Sequence, residues 1–174
     1  FLASGVASGI KNNKELDLAL VTTEDQQPVP TAAVFTSNKM TAAPVLVSRR
    51  HLEVTGGVAS TVVLNSGNAN AATGEQGLID AEKMCQLTAQ GLGCESSEVL
   101  VCSTGWIGYP LPMEEITYGI KSAIDSLKDD QGKTAAKAIM TTDTVPKNTL
   151  VEAKGFSVGG ISKGAAMLQP NMAT

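Results

Sequence analysis

Four short runs in this chain bunch small, polar and hydroxyl residues in ways that packing alone does not require. The run CSTGWIG at 102–108 follows an apolar stretch. A small residue and then a glycine at a strand end let a main-chain N–H come close to a substrate oxygen, and donors so placed stabilise an oxyanion by roughly 3 to 4 kcal/mol each. Thr104 and Gly105 are the candidates there. The alternative is a loop that closes over the core, with Trp106 packed on it; otherwise Trp106 is a pocket wall. The run IMTTDTVPK at 139–147 gathers three threonines around Asp143. Such groups after a helix make local turn hydrogen bonds more often than they bind substrate. The run NSGNANAATGEQG at 65–77 interleaves Asn65, Asn68 and Asn70 with small residues. It reads either as a turn whose side chains secure the next helix or as a cradle of amides for an anion or carbonyl.

The fourth run, SKGAAMLQPNMAT at 162–174, ends on a threonine directly after a small residue. A hydroxyl there can attack the preceding carbonyl, move the acyl group from nitrogen to oxygen, and leave a new N-terminal threonine once water completes the cut. The freed α-amine, with an ordinary pKa of about 7.7 to 8.0, then serves the hydroxyl as its own base near neutral pH. The plainer alternative is a chain that simply stops at Thr174.

Composition narrows the remaining chemistry. One histidine, His51, stands in 174 residues, whereas histidine-based triads and zinc sites draw on several convergent ligands. Pairing His51 with Cys102 as base and nucleophile is disfavoured, because Cys102 sits in an apolar run and lacks an orienting third group. Cys85, Cys94 and Cys102 are odd in number and form no CxxC pair, so they read as reduced thiols of a cytoplasmic protein. With 13 basic against 17 acidic side chains, net −4, and basic residues scattered except at Arg49–Arg50, nucleic acid is not an expected partner. Charged residues are only 17% and hydrophobic ones 43%, against roughly 25% charged in an average domain. Yet no apolar run nears the ~20 residues of a membrane span, so that hydrophobicity belongs to a core and an interface. The start lacks a basic region and a long apolar stretch and so is not a signal peptide; because it opens on Phe1, the true N-terminus is expected upstream.

The elements that must hold these runs mix periods of 2 and 3.6, which predicts an α/β or α+β chain of one domain, 1–174, with sheets packed against helices. Leu16, Leu18 and Leu20 alternate as in a half-buried strand, and further strands are expected at 31–36, 44–47, 61–65 and 98–102. The last two are nearly continuous apolar runs, as in central strands buried on both faces. Helices are expected over 77–92, closed by glycines; over 112–128, with Pro112 in the first turn and Ile116, Ile120, Ala123, Ile124 and Leu127 on one stripe; and over 132–140. Strands near 149–153 and 155–161 follow.

The four runs, in this order, resemble the bifunctional ornithine acetyltransferase family, also called glutamate N-acetyltransferase or the arginine-biosynthesis J proteins. The likeness extends to SGVASGIK at 4–11, LDLALV at 16–21, AAVFTSNKMTAAPVLVSRRHL at 32–52 and LPMEEI at 111–116, and KGAAMLQPNMAT is similar to the family's self-cleavage motif. The resemblance implies a self-processing, N-terminal-threonine (DmpA/OAT-like) fold completed by a β chain, with the cut between Ala173 and Thr174. It implies that Thr174 is the nucleophile carrying acetyl from N-acetylornithine to glutamate, that Thr104 and Gly105 form the oxyanion hole, and that Thr141, with Thr142 as its near alternative, and Lys163 contact substrate. An ammonium at Lys163 suits an α-carboxylate. No cofactor is implied, with acetyl-CoA an alternative acetyl donor; paired αβ units, α2β2 or higher, are implied as the assembly. The chain departs from the family pattern at Trp106, at Ala165–Ala166 and in NANAATG, positions that bear on acceptor preference. A related self-cleaving hydrolase or aminopeptidase, which would pass the acyl group to water, is the alternative enzyme.

Overall fold

The computed structural model describes residues 1–166. Its centre is a four-stranded sheet in the order β1 (Leu2–Val6), β2 (Leu18–Thr22), β5 (Thr61–Asn68), β6 (Val99–Trp106). β1 and β2 run antiparallel, as do β2 and β5, while β5 and β6 are parallel. Two-residue strands β3 (Val29–Pro30) and β4 (Val58–Ala59) pair beside it, and β7 (Lys147–Ala153) and β8 (Phe156–Ser162) form a separate antiparallel hairpin. The mixed α/β class with sheets packed against helices is as the sequence predicts.

Alternation along the strands assigns the two faces. Leu18, Leu20, Val63, Val99 and Val101 point to one side, where Val47 of α1 (Ala43–Val54), Met84 and Cys85 of α2 (Gly74–Leu92) and Ile116 and Ile120 of α3 (Met113–Asp125) close a single apolar cluster. Each fully buried aliphatic side chain there stabilises the fold by about 1.5 to 3 kcal/mol. On the other side, Ala3 and Ala19 meet Ala135 and Ala138 of the short α4 (Gly132–Ala138), with Ile139 after it. The contact is close because Gly5 has no side chain: a Cβ there would lie 2.5 Å from the Thr134 carbonyl oxygen.

The expected helices are present, with ends set by specific competitors. α2 stops where Gly93 turns left-handed at φ 77° and donates its N–H to the Ala89 carbonyl at 2.8 Å. α3 stops at Asp125 rather than 128, because Lys128 pairs with the edge of β1 at Ala3 through two main-chain bonds of 2.8 and 3.0 Å. α4 ends at Ala138 rather than 140; the next carbonyl but one, Met140, accepts from Lys11.

Three strand expectations are corrected. Residues 44–47 belong to α1: Ala43, Val47, Ser48 and His51 are its buried stripe, and Pro44 sits in the first turn. Residues 31–36 form no strand; the segment lies along α1, with the Arg49 guanidinium 5.3 Å from the Phe35 ring centre and bonded to the Thr36 carbonyl at 3.4 Å. And β6 is an edge strand, not a central one. Its outer edge is covered by helix side chains: Ser48 Oγ donates to the Val101 carbonyl at 2.8 Å and accepts from the Val101 N–H at 2.9 Å, while His51 Nδ1 lies 2.8 Å from the Val99 carbonyl. These bonds blunt an edge that would otherwise pair with another strand. Among the described residues no helix is long and apolar enough to cross a membrane.

Candidate active site

The candidate oxyanion donors sit where β5 and β6 end side by side. Because the main chain of Val99 and Val101 faces outward to α1, strand alternation points the N–H groups of Ser103 and Gly105 outward too, away from β5. Consistent with that parity, the even-numbered Glu98 and Trp106 direct their carbonyls inward, to Ser60 and Ala69 N–H. Gly105 adopts φ +136°, and a Cβ on it would lie 2.3 Å from the Gly67 carbonyl carbon. Position 105 therefore needs glycine for both conformation and space. The result is a main-chain N–H held at an open strand end beside the half-buried Thr104 hydroxyl.

Across 59 positions of sequence, Lys163 reaches the same corner: its Nζ donates to Thr104 Oγ1 at 2.9 Å. Thus two of the expected site residues, Thr104 and Lys163, stand in contact. The third, Thr141, is tied to them indirectly. Its N–H donates to Asp143 Oδ2 at 3.2 Å, and Asp143 Oδ1 accepts from the Gly164 N–H at 2.7 Å, next to Lys163. Asp143 also forms an ion pair with Lys147. That ammonium, helped by the two N–H groups, holds the carboxyl well below its ordinary value despite burial. Thr142 is exposed and Thr141 half-buried. Ala173 and Thr174, the expected cleavage pair, lie outside the described residues.

The asparagine-rich run proves structural. Asn68 Nδ2 donates to the Tyr109 and Pro110 carbonyls at 3.2 and 2.9 Å, and its Oδ1 takes the Asn70 N–H at 2.8 Å. Asn70 reaches the Gly77 carbonyl at 2.9 Å in the first turn of α2. The amides of Ala69 and Asn70 are thereby engaged within the protein and do not form an anion cradle. What the run does is fasten the loop after Gly105, from both sides: Ala69 N–H to the Trp106 carbonyl at 2.9 Å and Gly108 N–H to the Ala71 carbonyl at 2.8 Å.

Trp106 is 73% exposed and stands edge-on to Tyr109, 6.3 Å between ring centres, so it is not packed on the core. His51 is buried against Val99 and lies 3.3 Å from Glu82; it braces α1, α2 and β6 and is far from acting as a base for Cys102 in this arrangement. The three cysteines are unpaired by disulfides, and among the described residues no cluster of His, Cys, Asp and Glu is placed to hold a metal ion.

Sequence reasoning passed over Lys11. Its Nζ donates to the Leu16 and Met140 carbonyls at 3.0 and 2.7 Å. The loop that carries it is wrapped on buried Asp17, which accepts from the Ser8 N–H and hydroxyl at 2.6 and 2.7 Å and from the Lys11 N–H at 2.9 Å. The signal was present in SGIK, a glycine turn ending on a lysine, but its partner is 129 positions away.

The fold is thus an α/β framework whose parallel strand ends present a hydroxyl and an outward glycine N–H, with a lysine from beyond the β7–β8 hairpin set against that hydroxyl. The ArgJ family model matches residues 2–174, and the chain belongs to that family. It is 48% identical over 174 residues to the arginine biosynthesis bifunctional protein ArgJ of Streptomyces avermitilis, covering all of this chain and 45% of that protein. It is also 48% identical over 178 residues to the ArgJ protein of Caldanaerobacter subterraneus subsp. tengcongensis, covering 43% of it. The chain thus spans less than half the length of these relatives. Among solved structures, ornithine acetyltransferase from Mycobacterium tuberculosis, complexed with ornithine, superposes with a TM-score of 0.91 at 43% identity, over 97% of this chain and 90% of that one. The ArgJ protein of Bacillus halodurans gives 0.85 at 38%, over 98% and 89%.

Proposed function

We propose that this chain is the α part of a self-cleaving acetyltransferase that moves acetyl from N-acetylornithine to glutamate by a ping-pong route through an acetyl-Thr174 ester, in arginine biosynthesis. The observation that carries the reading is the 2.9 Å contact between Lys163 Nζ and Thr104 Oγ1, which joins a carboxylate-binding cation to the oxyanion strand. The Thr174 hydroxyl adds to the acetyl carbonyl and passes its proton to its own α-amine. The negative oxygen then takes hydrogen bonds from the Gly105 N–H and the Thr104 hydroxyl. Collapse expels ornithine as the amine, protonated by the same group; the amine of glutamate then attacks the ester and regenerates the hydroxyl.

Lys163 holds the α-carboxylate common to ornithine and glutamate, with Thr141 beside it, so one subsite serves donor and acceptor. No cofactor enters the route, and acetyl-CoA is an alternative donor to the same hydroxyl. The remaining substrate groups come from a β chain that starts at Thr174 and stays with this one, in αβ units that pair as α2β2 or larger, in the cytoplasm. A stopped assay of the processed full-length protein tests the reading. Free ornithine should appear from N-acetylornithine at a sustained rate only when glutamate or labelled ornithine is present as acceptor. Sustained release into water alone would mean a hydrolase. Thr104→Ala should lower kcat by about 10²-fold to 10³-fold, the usual cost of one oxyanion donor.

A further inference from the structure

Asp143 lies in a loop between exposed Thr142 and exposed Thr144, yet its own side chain is 0% exposed. Both of its oxygens are engaged, and with different parts of the chain. Oδ2 takes the Thr141 N–H at 3.2 Å; Oδ1 takes the Gly164 N–H at 2.7 Å and the Lys147 ammonium. Lys147 in turn donates to the Gly164 carbonyl at 3.0 Å. Gly164 is therefore gripped on both of its peptide bonds, one by each member of the ion pair, in the residue that follows Lys163. The peptide bond between Met140 and Thr141 is held in the same double fashion: its carbonyl by Lys11 at 2.7 Å, its N–H by Asp143.

We propose that the Asp143–Lys147 pair is a positioning device, which fixes the Met140–Thr141 and Lys163–Gly164 peptides against each other so that the Lys163 ammonium sits on Thr104. Asp143 touches neither substrate nor reacting atoms; it acts through Lys163. A local turn role would need only the Thr141 bond, two residues away. The two bonds to Gly164, one from its N–H to Asp143 and one from Lys147 to its carbonyl, reach across the base of the β7–β8 hairpin and have no use in that turn. Gly164 at φ +134° is in a conformation that a side chain would strain, so an external hold on both of its peptides keeps the lysine from swinging. The inference rests on the reading of Lys163 as the carboxylate-binding group.

The experiment is a double-mutant cycle on the processed full-length protein: wild type, Asp143→Asn, Lys163→Met and the double variant, with kcat and KM for N-acetylornithine and for N-acetylputrescine, which lacks the α-carboxylate. Asp143→Asn should raise KM for N-acetylornithine at least tenfold with kcat within about threefold, and should change kcat/KM for N-acetylputrescine less than twofold. In the Lys163→Met background the same change should cost less than twofold, because the group it positions is gone. Lys147→Met removes a side chain that is 44% exposed, so it spares the fold. It should raise KM for N-acetylornithine three- to fivefold, and Lys147→Arg should restore most of the loss. Equal losses for both donors, full additivity with Lys163→Met, or a silent Lys147→Met overturns the positioning role while leaving the acetyl-transfer reading intact. A silent Lys163→Met overturns the assignment of Lys163 itself, and the positioning role with it.

Discussion

At the scale of single residues, the site rests on a few positions whose chemistry is fixed by neighbours. The Asp143 carboxyl is held below its ordinary 3.8 mainly by Lys147 and then by the Gly164 and Thr141 N–H groups. A group with a lower pKa folded than unfolded stabilises above the unfolded value, and the stabilisation disappears as pH falls through the folded one. In urea titrations the stability gap between wild type and Asp143→Asn should therefore be flat above about pH 5 and shrink below about pH 4; a gap that widens in acid would refute the assignment. Gly105→Ala forces a Cβ onto the Gly67 backbone in a left-handed conformation, and should lower stability by about 1 to 3 kcal/mol together with activity. The Cys85 thiol is pushed up to about 12 by burial, so iodoacetamide at about pH 8 should leave it unmodified in the native protein and label it after unfolding. Thr104 and Gly105 stand out in the sequence because glycine after a hydroxyl at a strand end is a local pattern, whereas Lys163 enters only through the family resemblance, its contact with Thr104 spanning 59 positions. Asp143 was half legible: its bond to Thr141 is local, but its bond to Gly164 spans 21 positions and leaves no mark in sequence.

Among the elements, the helices read well wherever buried positions are apolar, as along Ile116, Ile120 and Ala123 of α3. α1 read badly for a definite reason. Two of its buried positions, Ser48 and His51, are polar because they satisfy the outer edge of β6, so the helical stripe vanished and PVLV stood out as a short strand. For the same reason β6 looked central: its apolar run records burial by a helix layer and not by a further strand. β1 was missed because Gly5 and Ser4 dilute its apolar pattern, and Gly5 is there to admit α4. Gly5→Val should push α4 off the sheet, lower stability by about 1 to 3 kcal/mol as overpacked contacts do, and weaken substrate binding if Thr141 has its proposed role, since α4 leads directly into Met140 and Thr141. Urea unfolding and KM for N-acetylornithine check both parts. A variant as stable as wild type would show that the α4 contact yields at little cost.

For the whole molecule, the low charged fraction finds its counterpart on the surface. Trp106, Ile107 and Tyr109 beside the site are exposed, as is an apolar face on the β7–β8 hairpin, where Val151 opposes Val158 and Ala153 opposes Phe156, itself 65% exposed. An isolated two-stranded hairpin is at best marginally stable, and exposed patches of this kind mark interaction surfaces. Since the chain spans 45% of its S. avermitilis relative, the remainder of the polypeptide is the proposed cover. Residues 1–174 expressed alone should bind a hydrophobic dye such as ANS and self-associate, and co-expression with the remainder should abolish both; a monodisperse, dye-silent isolated chain would count against that cover. The central claim is acetyl transfer through Thr174, and mass spectrometry of the full-length gene product tests it most directly. Wild type should separate into two fragments, the second beginning at Thr174 and gaining one acetyl mass on brief exposure to N-acetylornithine, whereas Thr174→Ala should remain one uncut chain without an adduct. Cleavage of the Thr174→Ala variant, or turnover by wild type with no acetyl ever found on the Thr174 fragment, would contradict it.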